Sequence, residues 1–155
     1  MLNKSPRSRR MLAVASGGGH WIQLLRLRPA FAGINVTYAT VDATSRGDVE
    51  PAPFYRIPDA NRSQKLKLVV LLIRLAWVLL RVRPQAIVTT GAAPGYLAIR
   101  IGKMLGAKTL FLDSMANAER LSLSANLAER HADLLLTQWP HLAKQDGPQF
   151  RGSVV

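Results

Sequence analysis

Short apolar segments alternate with longer helical segments along most of this chain, and this alternation restricts the fold more than any other feature. Segments such as MLAVAS (residues 11–16) and DLLLTQ (residues 133–138) are largely apolar, which is typical of strands buried on both faces. Such strands, separated by helices, form parallel sheets with right-handed connections. We therefore expect an α/β fold: a Rossmann-like parallel sheet with helices on both faces. The predicted strands are residues 11–16, 34–41, 54–58, 85–90, 108–113 and 133–138, and the predicted helices are residues 20–27, 64–82, 94–106 and 122–131.

Length and composition place these elements in one domain. The chain has 155 residues, 48% of them hydrophobic, which is enough for a well-packed core. We assign residues 11–155 to this single domain. Residues 1–10, which include NKSPRSRR, are expected to be a disordered basic tail, and they lack the apolar stretch of a signal peptide. The absence of cysteine excludes disulfides, thiolate metal sites and cysteine nucleophiles.

The charge balance indicates a negatively charged partner. Lysine and arginine number 21 against 9 acidic residues, which gives a net charge of +12. Nucleic acid, anionic lipid and a phosphorylated substrate are the partner classes that such a charge attracts. A basic tail and general solubility are the alternative explanation.

Two loops of small residues each follow a predicted strand and precede a predicted helix. The first contains Gly17, Gly18 and Gly19, and the second, in TTGAAPGYL, contains Gly91, Ala92, Ala93 and Gly95. Small residues let backbone N–H groups approach an anion, and a helix N-terminus adds partial positive charge. Because ligands of such sheets bind at the carboxyl ends of the strands, the loops are predicted to hold a phosphate or diphosphate together. Tight turns without chemistry are the alternative.

A dinucleotide site fits this sequence less well. The fingerprint G-x-G-x-x-G matches Gly17 and Gly19, but its third position is Ile22. Asp42, after the second predicted strand, is the acidic residue that would bind a ribose.

His20 and Asp113 are the candidate catalytic residues. His20 begins the first predicted helix and Asp113 ends a strand at the same edge. Histidine changes its protonation near neutral pH, so a histidine oriented by a carboxylate can deprotonate a sugar hydroxyl. The alternative is a histidine that caps the helix and a carboxylate that binds loop amides.

The predicted helix KLKLVVLLIRLAWVLLRVR (residues 65–83) lacks the broad polar face of an ordinary surface helix. Its apolar stretch between Lys67 and Arg81 is too short to span a bilayer, and Arg74 interrupts it. Either it is buried between the sheet and a neighbouring helix, or one flank lies in a lipid interface. The net charge favours the second arrangement. The predicted membrane contacts are a narrow basic seam of Lys67, Arg74 and Arg81, together with Leu71 and Trp77.

Three stretches carry a family resemblance. They are SGGGH after the first strand, TTGAAPGYLA, and FLDSMANAERLSLSANLAERHADLLLTQWPHL (residues 111–142). Together they resemble the Alg-fourteen-like and PssD proteins, which are the acceptor-binding, membrane-associated subunits of split glycosyltransferases. More distantly, the chain is similar to the N-terminal half of MurG. The resemblance covers residues 11–155 and is most specific from Ser122 to Pro140.

The resemblance implies one half of a GT-B glycosyltransferase at the cytoplasmic face of the plasma membrane. This half would bind a polyprenyl-diphosphate-linked acceptor through the two loops. A partner subunit, similar to the C-terminal half of MurG, would bind the UDP-sugar and contact the segment from Pro148 to Val155. The sugar transferred would be N-acetylglucosamine, and no metal, cofactor or nucleic acid is expected.

Two positions depart from the family pattern. The second loop reads TGAAPG, where eukaryotic members have an N-G-P-G-T type sequence, and Asp113 stands where glutamate is usual. Two other function classes stay open: a basic nucleotide- or nucleic-acid-binding module without catalysis, and a dinucleotide-dependent oxidoreductase.

Overall fold

A computed structural model describes residues 8–155, and these residues form one seven-stranded sheet. Every neighbouring pair of strands is parallel, and the strand order is β3-β2-β1-β4-β5-β6-β7. The strands are β1 (Arg10–Val14), β2 (Asn35–Thr40), β3 (Phe54–Arg56), β4 (Ala86–Thr89), β5 (Lys108–Leu112), β6 (Leu134–Thr137) and β7 (Gln149–Phe150). The helices are α1 (Gly19–Arg26), α2 (Lys65–Val82), α3 (Ala92–Met104) and α4 (Leu123–Ala128). The predicted parallel α/β sheet is confirmed.

The elements differ from the predicted ones at a few boundaries. The first strand begins at Arg10, inside the segment assigned to the basic tail, and residues 1–7 of that tail lie outside the described residues. The third helix begins at Ala92, two residues before the proline taken as its start. A seventh strand, β7, was not predicted, because two residues give no periodicity to detect.

Both faces of the sheet are covered, which explains why β1 is apolar from Met11 to Val14. Leu12 and Val14 point into the larger core, which includes residues of α2, α3 and α4. Met11 and Ala13 point to the opposite face, where Trp21 of α1 joins a second core. Successive side chains of a strand alternate between faces, so a strand covered on both sides needs apolar residues at every position.

The strand order creates a crevice between β1 and β4. The chain leaves β1 toward β2 on one side and leaves β4 toward β5 on the other, although β1 and β4 are hydrogen-bonded neighbours. Such a reversal of direction is where open α/β sheets bind their ligands. The two predicted loops, after β1 and after β4, therefore flank the crevice.

Helix α2 turns an apolar surface away from the sheet. Four of its residues, among them Leu71 and Leu75, are buried, and the helix ends where Arg83 adopts a left-handed conformation before Pro84. The apolar face of α2 consists of the exposed side chains of Leu66, Val69, Val70, Leu72, Ile73, Trp77 and Leu80. The prediction that Leu71 contacts a membrane is wrong: its exposed fraction is 0%, because it packs in the core between α2 and the sheet.

Candidate functional site

The loop after β1 places the start of α1 beside the crevice. Gly18 is the N-cap of α1, with a φ of 64°, and both Gly18 and Gly19 are exposed. The first hydrogen bond of the helix runs from the Ile22 N–H to the Gly18 carbonyl. The N–H groups of the preceding helical residues therefore lack a carbonyl partner within the helix and can bind an anion.

The loop after β4 lies against the start of α1, next to His20. Gly91 caps α3 with a φ of 121°, and Ala92, the first helical residue, has a φ of 62°. A side chain at position 91 would bring a Cβ within 3.1 Å of His20 Cε1 and Nδ1, so this position requires glycine. The positive φ of Ala92 is unusual for alanine, and such strained residues cluster at functional sites.

His20 joins the two loops through a pair of hydrogen bonds with Thr90. The Nδ1 atom lies 2.7 Å from the Thr90 carbonyl oxygen, and the Thr90 hydroxyl donates to the His20 carbonyl at 2.6 Å. A carbonyl only accepts hydrogen bonds, so Nδ1 must carry the proton. In the neutral ring, Nε2 is then the unprotonated nitrogen and can act as a base.

Asp113 does not orient His20, which corrects the prediction that pairs them. Its side chain is 2% exposed and accepts hydrogen bonds from the Ser114 N–H at 3.0 Å and the Ser122 N–H at 2.8 Å. The Asn117 side-chain amide donates to it at 3.1 Å. The carboxylate is therefore occupied in holding its own loop, and its burial also argues against a role as a ligand of an acceptor hydroxyl.

Gly95 is a packing residue, which corrects its assignment to diphosphate binding. It is buried within the first turn of α3. An added Cβ would lie 2.1 Å from Thr89 Oγ1, so the missing side chain lets α3 approach β4. The other loop residues, Gly17, Ala92 and Ala93, are half-buried at the loops that flank the crevice.

Asp42 is also engaged within the protein. Its side chain caps a short 3-10 helix (Ala43–Asp48) by accepting from the Thr44 N–H at 2.9 Å and from the Thr44 hydroxyl at 2.7 Å. These hydrogen bonds lower the pKa of Asp42 below the usual aspartate value. The candidate ribose ligand of a dinucleotide site is therefore used as a helix cap.

A buried pair of glutamines lies beside these loops, and sequence reasoning missed it. Gln23 of α1 and Gln138, which follows β6, are 6% and 2% exposed. The only signal in the sequence was a polar residue three positions after His20, on the face of α1 that packs on the sheet. Thr90, the partner of His20, gave no signal of its own because its role depends on contact with a residue 70 positions away.

The segment from Pro148 to Val155, predicted to contact a partner subunit, forms the end of the sheet. Phe150 in β7 is exposed and so is Val155. Between them, the Ser153 hydroxyl donates to the Gln138 carbonyl at 2.8 Å, and the Val154 N–H donates to Gln138 Oε1 at 2.9 Å. The segment therefore combines an exposed apolar edge with two hydrogen bonds to the buried Gln138.

The basic seam of α2 runs beside its apolar face. Lys67 and Arg81 are exposed, whereas Arg74 is half-buried and donates from Nε to the Arg56 carbonyl at 3.3 Å. The Arg74 guanidinium lies 4.7 Å from the centroid of the Trp77 ring, which is within the range of a cation–π interaction. Within residues 8–155, no helix is long and apolar enough to cross a membrane.

Comparison with known proteins gives structural matches only. No protein-family model and no curated protein matches the sequence. MurG of Acinetobacter baumannii matches with a TM-score of 0.76 and 15% identity, over 95% of this chain and 46% of MurG. The UDP-N-acetylglucosamine 2-epimerase of Rickettsia bellii matches with a TM-score of 0.73 and 12% identity, over 96% of this chain and 46% of the epimerase. A glycosyltransferase of Rickettsia africae ESF-5 matches with a TM-score of 0.61 and 11% identity, over 86% of this chain and 37% of that protein.

These matches concern the fold. The chain spans less than half the length of each of the three proteins. At identities of 15% or below, the similarity extends to the Rossmann-like architecture found in GT-B glycosyltransferases such as MurG, which is the predicted fold class.

Proposed function

We propose that this protein is the acceptor-binding half of a glycosyltransferase. The reaction would transfer a sugar, N-acetylglucosamine in the leading case, from a UDP-sugar to a polyprenyl-diphosphate-linked acceptor. The observation that carries the proposal is the position of His20 between the two loops of small residues, with Nδ1 bonded to the Thr90 carbonyl and Nε2 left as the unprotonated nitrogen of the neutral ring.

Each part of the crevice has a role in this reaction. The N–H groups at the starts of α1 and α3 bind the acceptor diphosphate, because helix N-termini favour negative charge. His20 Nε2 accepts the proton of the acceptor hydroxyl while the hydroxyl oxygen attacks the anomeric carbon of the donor sugar. The bond between that carbon and the diphosphate breaks, and UDP leaves with its electron pair.

The donor site would belong to a partner subunit. The family resemblance implies a GT-B active site that lies between two domains, with the donor bound by the second. We propose the segment from Pro148 to Val155 as part of the contact, because Phe150 and Val155 expose apolar side chains at the edge of the sheet.

The apolar face of α2 would place the protein on the cytoplasmic surface of the membrane. Seven large apolar side chains on one exposed helix face are unfavourable in water and favourable in a lipid interface. Lys67 and Arg81 on the flanking seam would meet the phosphates of anionic lipids.

The test of the base is a transfer assay with both subunits present, a UDP-sugar donor and a polyprenyl-diphosphate-linked acceptor. The partner is first sought as the product of the neighbouring open reading frame, by co-purification. His20→Asn retains a side-chain N–H that can donate to the Thr90 carbonyl but removes the base. We expect kcat to fall by about 10²- to 10⁴-fold with little change in KM. His131→Gln is the matched control, because His131 lies in a turn after α4.

Three outcomes would contradict the proposal. A near-normal kcat for His20→Asn would leave His20 with a structural role. Sugar transfer by the isolated chain would contradict the separate donor subunit. Failure of any tested partner and donor to support transfer, combined with tight UDP binding by this chain alone, would favour the second candidate.

That second candidate is a nucleotide-binding module without catalysis. The exposed glycine loop at the start of α1 and the net charge of +12 favour it, because both attract a nucleotide phosphate. It predicts that the isolated chain binds UDP in calorimetry and that raising the salt concentration weakens the binding.

A further inference from the structure

A continuous chain of buried hydrogen bonds connects the C-terminal residues with the helix that carries His20. The Gln138 side-chain amide donates to Gln23 Oε1 at 2.6 Å and to the Asp113 carbonyl at 3.0 Å, while its Oε1 accepts from the Val154 N–H at 2.9 Å. Gln23 continues the chain by donating to Ser114 Oγ at 3.0 Å. Each step joins segments that are far apart in the sequence.

The donors and acceptors of this chain are mutually consistent. Gln23 Oε1 accepts from both Gln138 and the Met115 N–H, which lies 3.2 Å away, so the orientation of each amide follows from the other. Within residues 8–155, no buried side-chain nitrogen or oxygen lacks a hydrogen-bond partner. Both glutamines are therefore held in one orientation, and a lost partner leaves a buried amide unsatisfied.

We propose that Gln138 and Gln23 are positioning residues that make the site dependent on the C-terminal clasp, defined as Ser153 and Val154. Gln138 is the buried junction, because its side chain bonds to the clasp, to the loop that begins at Asp113, and to α1. A separate, exposed contact also joins α1 to the clasp: the Arg26 guanidinium donates to the Val154 carbonyl at 3.1 Å. The inference rests on the proposed function of His20 and its loops as the acceptor site. It adds that a change at the clasp alters the hydrogen bonding of His20.

The last step of the coupling runs along α1. His20 and Gln23 lie three residues apart, on neighbouring turns of one helix face. His20 binds to Thr90, after β4, and Gln23 binds to Ser114, after β5. Release of Gln23 leaves the start of α1 held by the two hydrogen bonds between His20 and Thr90 and by the bond from Trp21 Nε1 to Asp48 Oδ2 at 2.8 Å.

The experiment removes one hydrogen bond at the clasp and reads the result at His20. Val154→Pro deletes the N–H that donates to Gln138 Oε1, and Val155→Pro is the matched control one residue further on. In the full chain with ¹⁵N-labelled histidine, NMR shifts of the ring nitrogens report which of them carries the proton. Amide hydrogen exchange at Met115 reports the loop, and thermal unfolding reports overall stability.

We expect Val154→Pro to lower the population of the Nδ1–H form of His20 and to raise exchange at Met115 by about tenfold. Gln138→Glu should do the same, because its second carboxylate oxygen cannot donate to Gln23 Oε1 or to the Asp113 carbonyl. Val155→Pro should match the wild type in both readouts.

A lower unfolding temperature in Val154→Pro, with unchanged His20 nitrogens and unchanged Met115 exchange, would overturn the proposal and leave a purely structural role. Equal changes in Val155→Pro would also overturn it. Should Gln138→Glu fail to fold, the comparison of the two proline variants decides alone. No readout depends on sugar transfer, so failure of the transfer reaction contradicts the proposed function and leaves the coupling standing.

Discussion

The proposed membrane contact of α2 predicts that replacement of Ile73 and Leu80 by glutamine removes most of the binding to lipid vesicles. Both side chains lie on the apolar face of α2, with exposed fractions of 64% and 60%. Neither contributes to the buried core, and glutamine is a good helix former, so the folded structure should be retained. The change leaves every charge in place and therefore isolates the apolar contribution to binding.

The expected loss follows from the exposed fractions. Transfer of a whole isoleucine or leucine side chain out of water is worth about 1.5–3 kcal/mol. The exposed part of each side chain therefore contributes about 1–2 kcal/mol when it enters lipid. Because about 1.4 kcal/mol corresponds to tenfold in an equilibrium constant, the two substitutions together should lower the partition coefficient by roughly 30-fold to several hundred-fold.

The assay is co-sedimentation with vesicles of phosphatidylcholine, with and without phosphatidylglycerol. Ile22→Gln is the matched control, because Ile22 is 52% exposed but lies on α1, across the sheet from α2. The control should bind as the wild type does. A loss below about threefold for Ile73→Gln with Leu80→Gln, or an equal loss for Ile22→Gln, would refute the assignment of α2 to the membrane.

Two further predictions concern stability. Gly95→Ala should lower the free energy of unfolding by about 1–3 kcal/mol in urea denaturation, because the new methyl group meets Thr89 Oγ1 at 2.1 Å, whereas Gly47→Ala, with no atom within 4 Å of the new Cβ, should have little effect. Hydrogen bonds from Lys103 and from the backbone N–H and hydroxyl of Thr109 hold the pKa of Asp133 below its usual range. Its carboxylate therefore stabilises the fold above about pH 4, and this contribution disappears as the pH falls through the lowered pKa. Asp133→Asn should therefore be less stable than the wild type at pH 7, and the difference should shrink in acid; a difference that is constant from pH 7 to pH 2 would contradict this.

Hydrophobic patterning along the chain was sufficient to predict the sheet. The six predicted strands are all present in the structure. They could be recognised because a strand covered on both faces must be apolar at successive positions, and this pattern is visible in a short stretch of sequence. The two small-residue loops could be assigned to one edge of the sheet for the same reason, since parallel strands share their carboxyl ends. β7 escaped prediction because two residues pair with β6 through backbone hydrogen bonds, which any side chain permits.

The partners of the site residues required the tertiary structure. The sequence predicts that His20 and Asp113 lie at one edge of the sheet, but it does not contain the distance between them. In the folded protein, His20 hydrogen-bonds to Thr90, whereas Asp113 hydrogen-bonds to residues of its own loop. The buried glutamine pair depends in the same way on contacts across 115 positions of the chain.

Helix α2 separates most simply what the sequence determines from what the tertiary structure determines. The spacing of its residues determined that Lys67, Arg74 and Arg81 form one seam and that, apart from Lys65 at its start, the other residues of the helix are apolar. Only the sheet decided which apolar side points inward, so Leu71 is buried while Ile73 and Leu80 face outward. A helical repeat fixes the angles between side chains, but the direction of the core is set by the elements packed against the helix.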